Sequence, residues 1–281
     1  MGSEEFYPEE LPVRAVGVEE FWIDPHPVTV AEFRRFVQAT GYVTVAERPL
    51  DPADYPDADS ASLLPGSAVF SATEGPVPLD SMVWWSYVPG ACWHAPEGPG
   101  TDVSERAQHP VTHVTYEDAE AYARWAGKAL PTEAEWERAA RGGLQGARFA
   151  WGDQETPGER WMANTWQGEF PWQNLALDGY AGTSPVGSFP ANGYGVHDLI
   201  GNVWEWTCEP GERTSTDPDS PAPCCTLAGH RPSDPVTTRI IKGGSHLCAP
   251  NYCLRYRPAA RQIQAVDTST SHIGIRCVIR A

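Results

Sequence analysis

The sequence predicts one loop-rich α+β domain, and three observations carry that prediction. The chain holds 26 Gly and 27 Pro among 281 residues, too many for a helical bundle yet not repetitive enough for a disordered chain. Three segments nevertheless carry complete helix punctuation, while the rest offers only short, turn-bounded apolar runs. Twelve Trp and ten Tyr must then be buried among turns, so aromatic packing supplies the core. No tandem repeat and no linker of flexible composition interrupts the chain, so residues 1–281 are expected to form a single domain.

The helices come first because their signals are local. Thr29 with Glu32 makes a capping box ahead of Phe33, Phe36 and Val37, and Gly41 supplies the stop. Thr115 with Asp118 opens a second helix whose inner face is Ala119, Tyr122, Ala123 and Ala126, ended by Gly127. Pro131-Thr132-Glu133-Ala134-Glu135-Trp136 opens a third, which runs through Ala139 and Ala140 to Gly142-Gly143. Residues 46–110, between the first two helices, are rich in Pro, Asp and Ser and lack clear periodicity. A connection of that length is usually functional, and with its cluster Met82-Val83-Trp84-Trp85 it is expected to wall a binding groove. Ser184–Phe189 and Arg239–Ile241 suit short strands.

The formal charge of -17 argues against a nucleic-acid partner, which needs clustered Lys and Arg. A cationic peptide or a divalent metal suits it better, and solubility alone would also account for it. No stretch approaches the ~18 apolar residues of a membrane span. The start, Met1-Gly2-Ser3-Glu4-Glu5, is acidic where a secretory signal would be basic, so a cytoplasmic location is expected. Seven cysteines, an odd count in a reducing compartment, point to catalysis or metal binding before a disulfide framework. Cys92 and Cys208 carry no motif, and the vicinal pair Cys224-Cys225 in a Pro-rich segment reads as inert surface thiols.

The stretch with most chemistry is Lys242-Gly243-Gly244-Ser245-His246-Leu247-Cys248-Ala249-Pro250-Asn251-Tyr252-Cys253-Leu254-Arg255-Tyr256-Arg257. Cys248 and Cys253 could form a disulfide, a metal pair or a catalytic thiol pair. Two thiolates with no third Cys or His ligand nearby suit a soft metal such as Cu(I), whereas tetrahedral zinc would need two more ligands. His246 alternates away from the pair if the segment is a strand.

This stretch resembles the active-site segment of bacterial-type formylglycine-generating enzymes, also called sulfatase-modifying factors, which carry Gly-Gly-Ser, Cys-x4-Cys and Arg-Tyr-Arg in the same order. The resemblance extends through Pro27-Val28-Thr29, Trp125–Glu137, Ala163-Asn164-Thr165-Trp166-Gln167-Gly168, Asn192-Gly193-Tyr194-Gly195 and Gly201-Asn202-Val203-Trp204-Glu205-Trp206. It implies a C-type-lectin-like α+β fold with little regular secondary structure.

The resemblance also implies an oxidase of the copper-dependent kind. In that family a Cys-x-Pro-x-Arg motif of a sulfatase-type protein offers its cysteine to Cu(I), O₂ is the oxidant, and the substrate cysteine becomes formylglycine. Cys248 and Cys253 would hold the copper, Ser245 and Trp204 would line the pocket, and Tyr252 and Arg255 would support the metal loop. The same match implies two structural Ca²⁺ sites: Asn164 and Asp178 side chains with Thr165 and Tyr180 carbonyls, and Asp198 and Glu205 side chains with Gly201 and Val203 carbonyls. Hard Ca²⁺ takes such oxygens, although Asx turns look the same in sequence. His272 stands where the family has an Asn near the O₂ site. The chain is expected to act as a monomer, and acidic or carbonyl groups of residues 46–110 are expected to read the substrate arginine.

Two other functions compete with that one. A lectin-like fold also suits a non-catalytic binding module or a paralogue of altered substrate, since fold does not fix function. An iron-dependent sulfoxide synthase would carry a His-x3-His-x-Glu motif, and none occurs.

Overall fold

The computed structural model describes residues 1–52, 63–211 and 237–281. Cys224, Cys225 and part of the 46–110 segment lie outside the described residues.

All three capped helices form where their punctuation places them. In α1 (Val30–Thr40) the Thr29 hydroxyl accepts from Glu32 N while the Glu32 carboxylate accepts from Thr29 N, and Gly41 closes the helix in the left-handed conformation. The same reciprocal box opens α2 (Tyr116–Trp125) at Thr115 and Asp118, and α3 (Glu133–Arg141) at Thr132 and Glu135. Each box satisfies helix-start donors that would otherwise go without partners, an effect of about 1 kcal/mol. The buried stripe Phe33, Phe36 of α1 then meets Tyr122 of α2 and Trp93, with ring centroids 5.4 to 5.8 Å apart.

The strands are short: β1 (Phe21–Ile23), β2 (Gly66–Phe70), β3 (Trp85–Pro89), β4 (Trp204–Pro210), β5 (Thr238–Lys242), β6 (Gln262–Ala265), β7 (Ile273–Gly274) and β8 (Val278–Arg280). They make a four-stranded sheet in the order β6-β5-β4-β7, with β4 and β7 parallel and the other neighbours antiparallel. Two antiparallel pairs, β1-β8 and β2-β3, flank it. Arg239–Ile241 is strand as predicted, inside β5. Ser184–Phe189 is not: it folds as turns, with Ser188 N and Oγ both donating to Pro185 O and Gly187 N donating to Asp198. The segment 46–110 is more regular than its sequence suggests, since β2 and β3 pair within it from Gly66↔Pro89 to Phe70↔Trp85.

The core is aromatic and also charged. Trp84, Trp136, Trp204 and Trp206 are fully buried, and each contributes roughly 5 kcal/mol of apolar burial as an upper bound. Lys242, at the end of β5, is wholly buried between Glu133 and Glu137 of α3 at 3.3 and 3.4 Å. Arg276 makes a two-pronged pair with Glu205 of β4 at 2.9 to 3.0 Å and also donates to the Asp24 and His197 carbonyls. Pairs this buried add little net stability but are costly to break, so they pin α3 and the turns around 197 to the central sheet in one register.

Candidate active site

Lys242 ends β5, and the chain must turn at once beneath α3. Gly243 and Gly244 have φ of 101° and 72°, and a Cβ on Gly244 would lie 2.9 Å from Tyr256 Cα. Only glycine fits that combination of handedness and contact. The turn delivers Ser245, whose N–H donates to Cys248 Sγ at 3.4 Å. Cys248 N then donates to Ser245 O, and Cys253 N to Ala249 O at 2.8 Å, so Ala249–Cys253 completes one tight turn. That turn folds the two cysteines onto each other.

Their sulfurs stand 3.1 Å apart, well beyond the ~2.05 Å of a disulfide bond. Both residues are buried, at 2% and 1% exposure. They face a recess lined by Trp84, Trp85, Phe170, Trp204, Ser245, Leu247, Tyr252 and His272. Tyr252 stacks on Phe170 at 4.3 Å and meets Trp84 edge-on at 5.5 Å, which fixes the far side of the thiol loop. The indole Nε1 of Trp204 is buried without a hydrogen-bond partner. An unmatched buried donor costs about 1 to 3 kcal/mol, so the recess wall carries an unspent N–H.

The structure therefore brings Cys248, Cys253, Ser245, Trp204 and Tyr252 into one recess, and Trp84 and Trp85 wall it as the sequence suggested. His246 is turned away, as expected, although in a turn and not in a strand: its Nδ1 contacts Asn202 O at 2.8 Å, and burial lowers its pKa to about 4. Among the described residues, the recess lining carries no carboxylate of segment 46–110. Arg255 also lies elsewhere, paired with Glu9 at 2.7 Å and stacked over Tyr7 at 3.9 Å. Arg257 is buried against Glu10 and Phe6, and Leu254 N donates to Tyr7 Oη. The Arg-Tyr-Arg run thus fastens the thiol loop to residues 6–10, a clamp that the sequence reading missed because its halves lie at opposite ends of the chain. His272 enters the recess through β7, with Nδ1 at 2.9 Å from Thr270 Oγ1 and its ring 4.8 Å from Trp85.

The oxygen-rich turns lie on the other side of Asn202. In the first set, Asp178 accepts from Tyr180 N on Oδ1 and from Thr165 N on Oδ2, while Gln167 Nε2 donates to both Asp178 Oδ2 and Thr165 O. Burial pushes the Asp178 carboxyl up. Asn164 Nδ2 is spent on Gly182 O at 2.9 Å, and Asn164 Oδ1 is buried with no partner. One orphaned amide oxygen beside a half-buried carboxylate and two backbone carbonyls is a donor set that Ca²⁺ fits. The second set fits less closely. Asp198 accepts from Gly187 N at 2.6 Å, but both oxygens of Glu205 are already matched by Arg276 and by Trp136 Nε1. Gly201 joins the two sets, since a Cβ there would lie 2.2 Å from Asn164 O.

Cys277 and Cys208 take no part in either place. Burial pushes the Cys277 thiol up to about 12, and that of Cys208 is raised as well.

The whole chain, residues 1–281, matches the family described as "Sulfatase-modifying factor enzyme 1-like domain". The chain belongs to that family. It is 59% identical to the formylglycine-generating enzyme of Mycobacterium tuberculosis, covering 99% of this chain and 93% of the relative. The corresponding enzyme of Thermomonospora curvata is 47% identical over 99% of this chain and 89% of its own. A bovine relative named an inactive Cα-formylglycine-generating enzyme 2 is 37% identical over 95% of this chain and 80% of its own, so membership of the family does not by itself decide activity. Among solved structures, PvdO from Pseudomonas aeruginosa superposes with a TM-score of 0.64 at 22% identity, covering 100% of this chain and 90% of that one. That likeness supports the loop-rich α+β fold alone. Among the described residues, no helix is long and apolar enough to cross a membrane.

Proposed function

We propose that this chain converts the cysteine of a Cys-x-Pro-x-Arg segment in a sulfatase-type protein to Cα-formylglycine, using Cu(I) held by Cys248 and Cys253 and O₂ as oxidant. The observation that carries this reading is the sulfur pair: two buried cysteines 3.1 Å apart, without a disulfide, facing an aromatic recess. A pair of thiolates is the ligand set a soft monovalent metal accepts. When bound, copper supplies the one-electron and oxygen chemistry that side chains lack.

The rest of the work belongs to the chain. Trp84, Trp85, Phe170 and Tyr252 keep bulk water from the sulfurs and offer flat walls to the substrate's cysteine and proline. Ser245 holds Cys248 by its N–H and turns Leu247 inward, because its Oγ accepts from Leu247 N at 3.2 Å. Trp204, whose indole N–H has no hydrogen-bond partner, would donate it to an entering oxygen. The balance of the reaction sets a further demand: RCH₂SH + O₂ + 2H⁺ + 2e⁻ gives RCHO + H₂S + H₂O, so an external thiol reductant must supply the two electrons. The substrate arginine would lie outside the aromatic recess. By the same reading Ca²⁺ is structural, at Asn164, Thr165, Asp178 and Tyr180, with weaker binding at Asp198, Gly201, Val203 and Glu205. The protein would act as a cytoplasmic monomer.

The test is direct: the Cu(I)-loaded protein is incubated in air with a Cys-x-Pro-x-Arg peptide and a thiol, and the product is weighed by mass spectrometry. The aldehyde mass is expected. Peptide that binds and emerges unchanged would overturn the enzymatic reading and establish a binding protein of the same fold.

A further inference from the structure

Glu47, Cys92 and His94 lie apart from the recess and from the oxygen-rich turns. They bring one carboxylate, one thiol and one imidazole together, with ligand atoms all within 4.8 Å of one another. Local structure makes the meeting. Glu47 closes the short 3-10 turn Val45–Glu47, where its Oε2 accepts from Thr44 N at 3.0 Å and Thr44 Oγ1 at 2.6 Å. That leaves Oε1 facing His94 Nε2 at 3.2 Å. Cys92 and Ala95 exchange both backbone hydrogen bonds at 3.1 Å, a tight turn that sets the thiol and the imidazole on one small loop. Cys92 packs against Ala46 and Ala95 at 4% exposure, whereas His94 is exposed. The trio therefore has an apolar floor and an open mouth. Burial raises the Cys92 thiol, and hydrogen bonds from the N–H groups of His94 and Ala95 offset part of that rise.

We propose that Glu47, Cys92 and His94 form a Zn²⁺ site, with water in the fourth position. One sulfur, one nitrogen and one oxygen ligand suit a borderline ion in tetrahedral geometry, and three protein ligands leave one position open. Ca²⁺ and Mg²⁺ do not take thiolate, and Cu(I) has no use for the carboxylate. Binding replaces the present contact of Glu47 with His94 by two bonds to the ion, and the thiol proton leaves to solvent: Cys92–SH + Zn²⁺ gives Cys92–S–Zn⁺ + H⁺. Consequences follow for the recess. β3 ends at Pro89, just before Cys92, and begins at Trp85 in the recess wall, so an ion here braces the β2-β3 hairpin from behind and fastens it to the 45–47 turn. The site touches none of the residues proposed to hold copper.

Co²⁺ is the probe, because a thiolate on cobalt gives a charge-transfer band in the near ultraviolet. It is titrated without oxygen into the full chain carrying Cys248→Ser and Cys253→Ser, which removes the other thiol pair. One equivalent with the band is expected, displaced by Zn²⁺. In the same background His94→Ala should weaken binding by at least about tenfold, a loss no smaller than that from removing a residue that merely orients a ligand. His94 is exposed, so this variant keeps its fold, checked by an unchanged circular dichroism spectrum. Cys92→Ser should abolish the band. No band in the background protein, or a band that His94→Ala leaves untouched, would overturn the site.

Discussion

The thiol recess and the oxygen-rich turns lie on either side of Asn202 and are built by opposite means. Around Cys248 and Cys253 most of the wall is apolar, built by Trp84, Trp85, Phe170, Leu247 and Tyr252, and the Ser245 N–H supports the Cys248 sulfur. Around Asp178 and Asp198 the chain supplies polar groups, with backbone N–H groups on both oxygens of Asp178 and on Oδ2 of Asp198, and Asn164 Oδ1 is left buried without a partner. The first region sets its two sulfurs against an aromatic recess. The second surrounds its carboxylates with hydrogen-bond donors. Reactivity and stability are thus placed in neighbouring but separate parts of one fold, and each can be removed without the other.

The strongest way to break that separation is at sulfur. Replacing Cys248 or Cys253 by Ser exchanges a soft ligand for a hard one that stays protonated, so each single variant should lose tight Cu(I) binding and aldehyde formation altogether. The melting temperature should hardly move, because the substitution is nearly isosteric. Copper stoichiometry of about one per chain in both variants, measured by a chromophoric Cu(I) chelator, would remove the pair from the metal site. A large fall in melting temperature would instead join the two regions.

The converse test is at oxygen. An ion that binds only the folded chain stabilises it by about 2.7 kcal/mol at a hundred times its dissociation constant. At a few degrees per kcal/mol for a domain of this size, chelation should lower the melting temperature by about 5 to 10 °C. Asn164→Ala should remove most of that difference, because it deletes the orphaned amide oxygen of the first set. Glu205 already has Arg276, so calorimetric titration should show a tight first equivalent and a weaker second. Two equal, tight sites would mean that Arg276 gives way to the ion.

What the sequence disclosed follows the range of the forces involved. The three capping boxes were legible because donor and acceptor lie three residues apart, and the thiol turn because its Gly-Gly, Pro and Cys pair are contiguous. The β2-β3 hairpin was not, since neither strand alternates between buried and exposed: four consecutive residues of β2 are buried, and no residue of β3 is. Ser184–Phe189 misled because its apolar residues suggest a strand, whereas Asp198, distant in sequence, holds Gly187 in a turn. Glu9 and Glu10 meeting Arg255 and Arg257, or Glu47 meeting His94, depend wholly on the folded chain. No local pattern encodes them.

The smallest expected effect is a difference in pH dependence, and it sharpens the comparison by isolating one carboxylate. Burial raises the pKa of Asp178 above the ~3.9 of an exposed Asp. A carboxyl raised in this way holds its proton longer in the folded than in the unfolded chain. Stability of the calcium-free protein therefore falls as pH rises above about 4, and the loss is complete once the folded pKa is passed. Ca²⁺ binds the ionised form, so it cancels the penalty where the penalty exists. The gap in melting temperature between calcium-loaded and chelated protein should accordingly widen as pH climbs from about 4, then level off. Asp178→Asn should flatten part of that rise and make the chelated protein slightly more stable at neutral pH, by a small amount because Asp178 is only half-buried and solvent screens it. The Cys248→Ser, Cys253→Ser protein should show the widening undiminished, since its sulfurs belong to the other region. A gap that stays constant with pH, or one that Asp178→Asn leaves unchanged, would mean that the ion does not bind at this carboxylate.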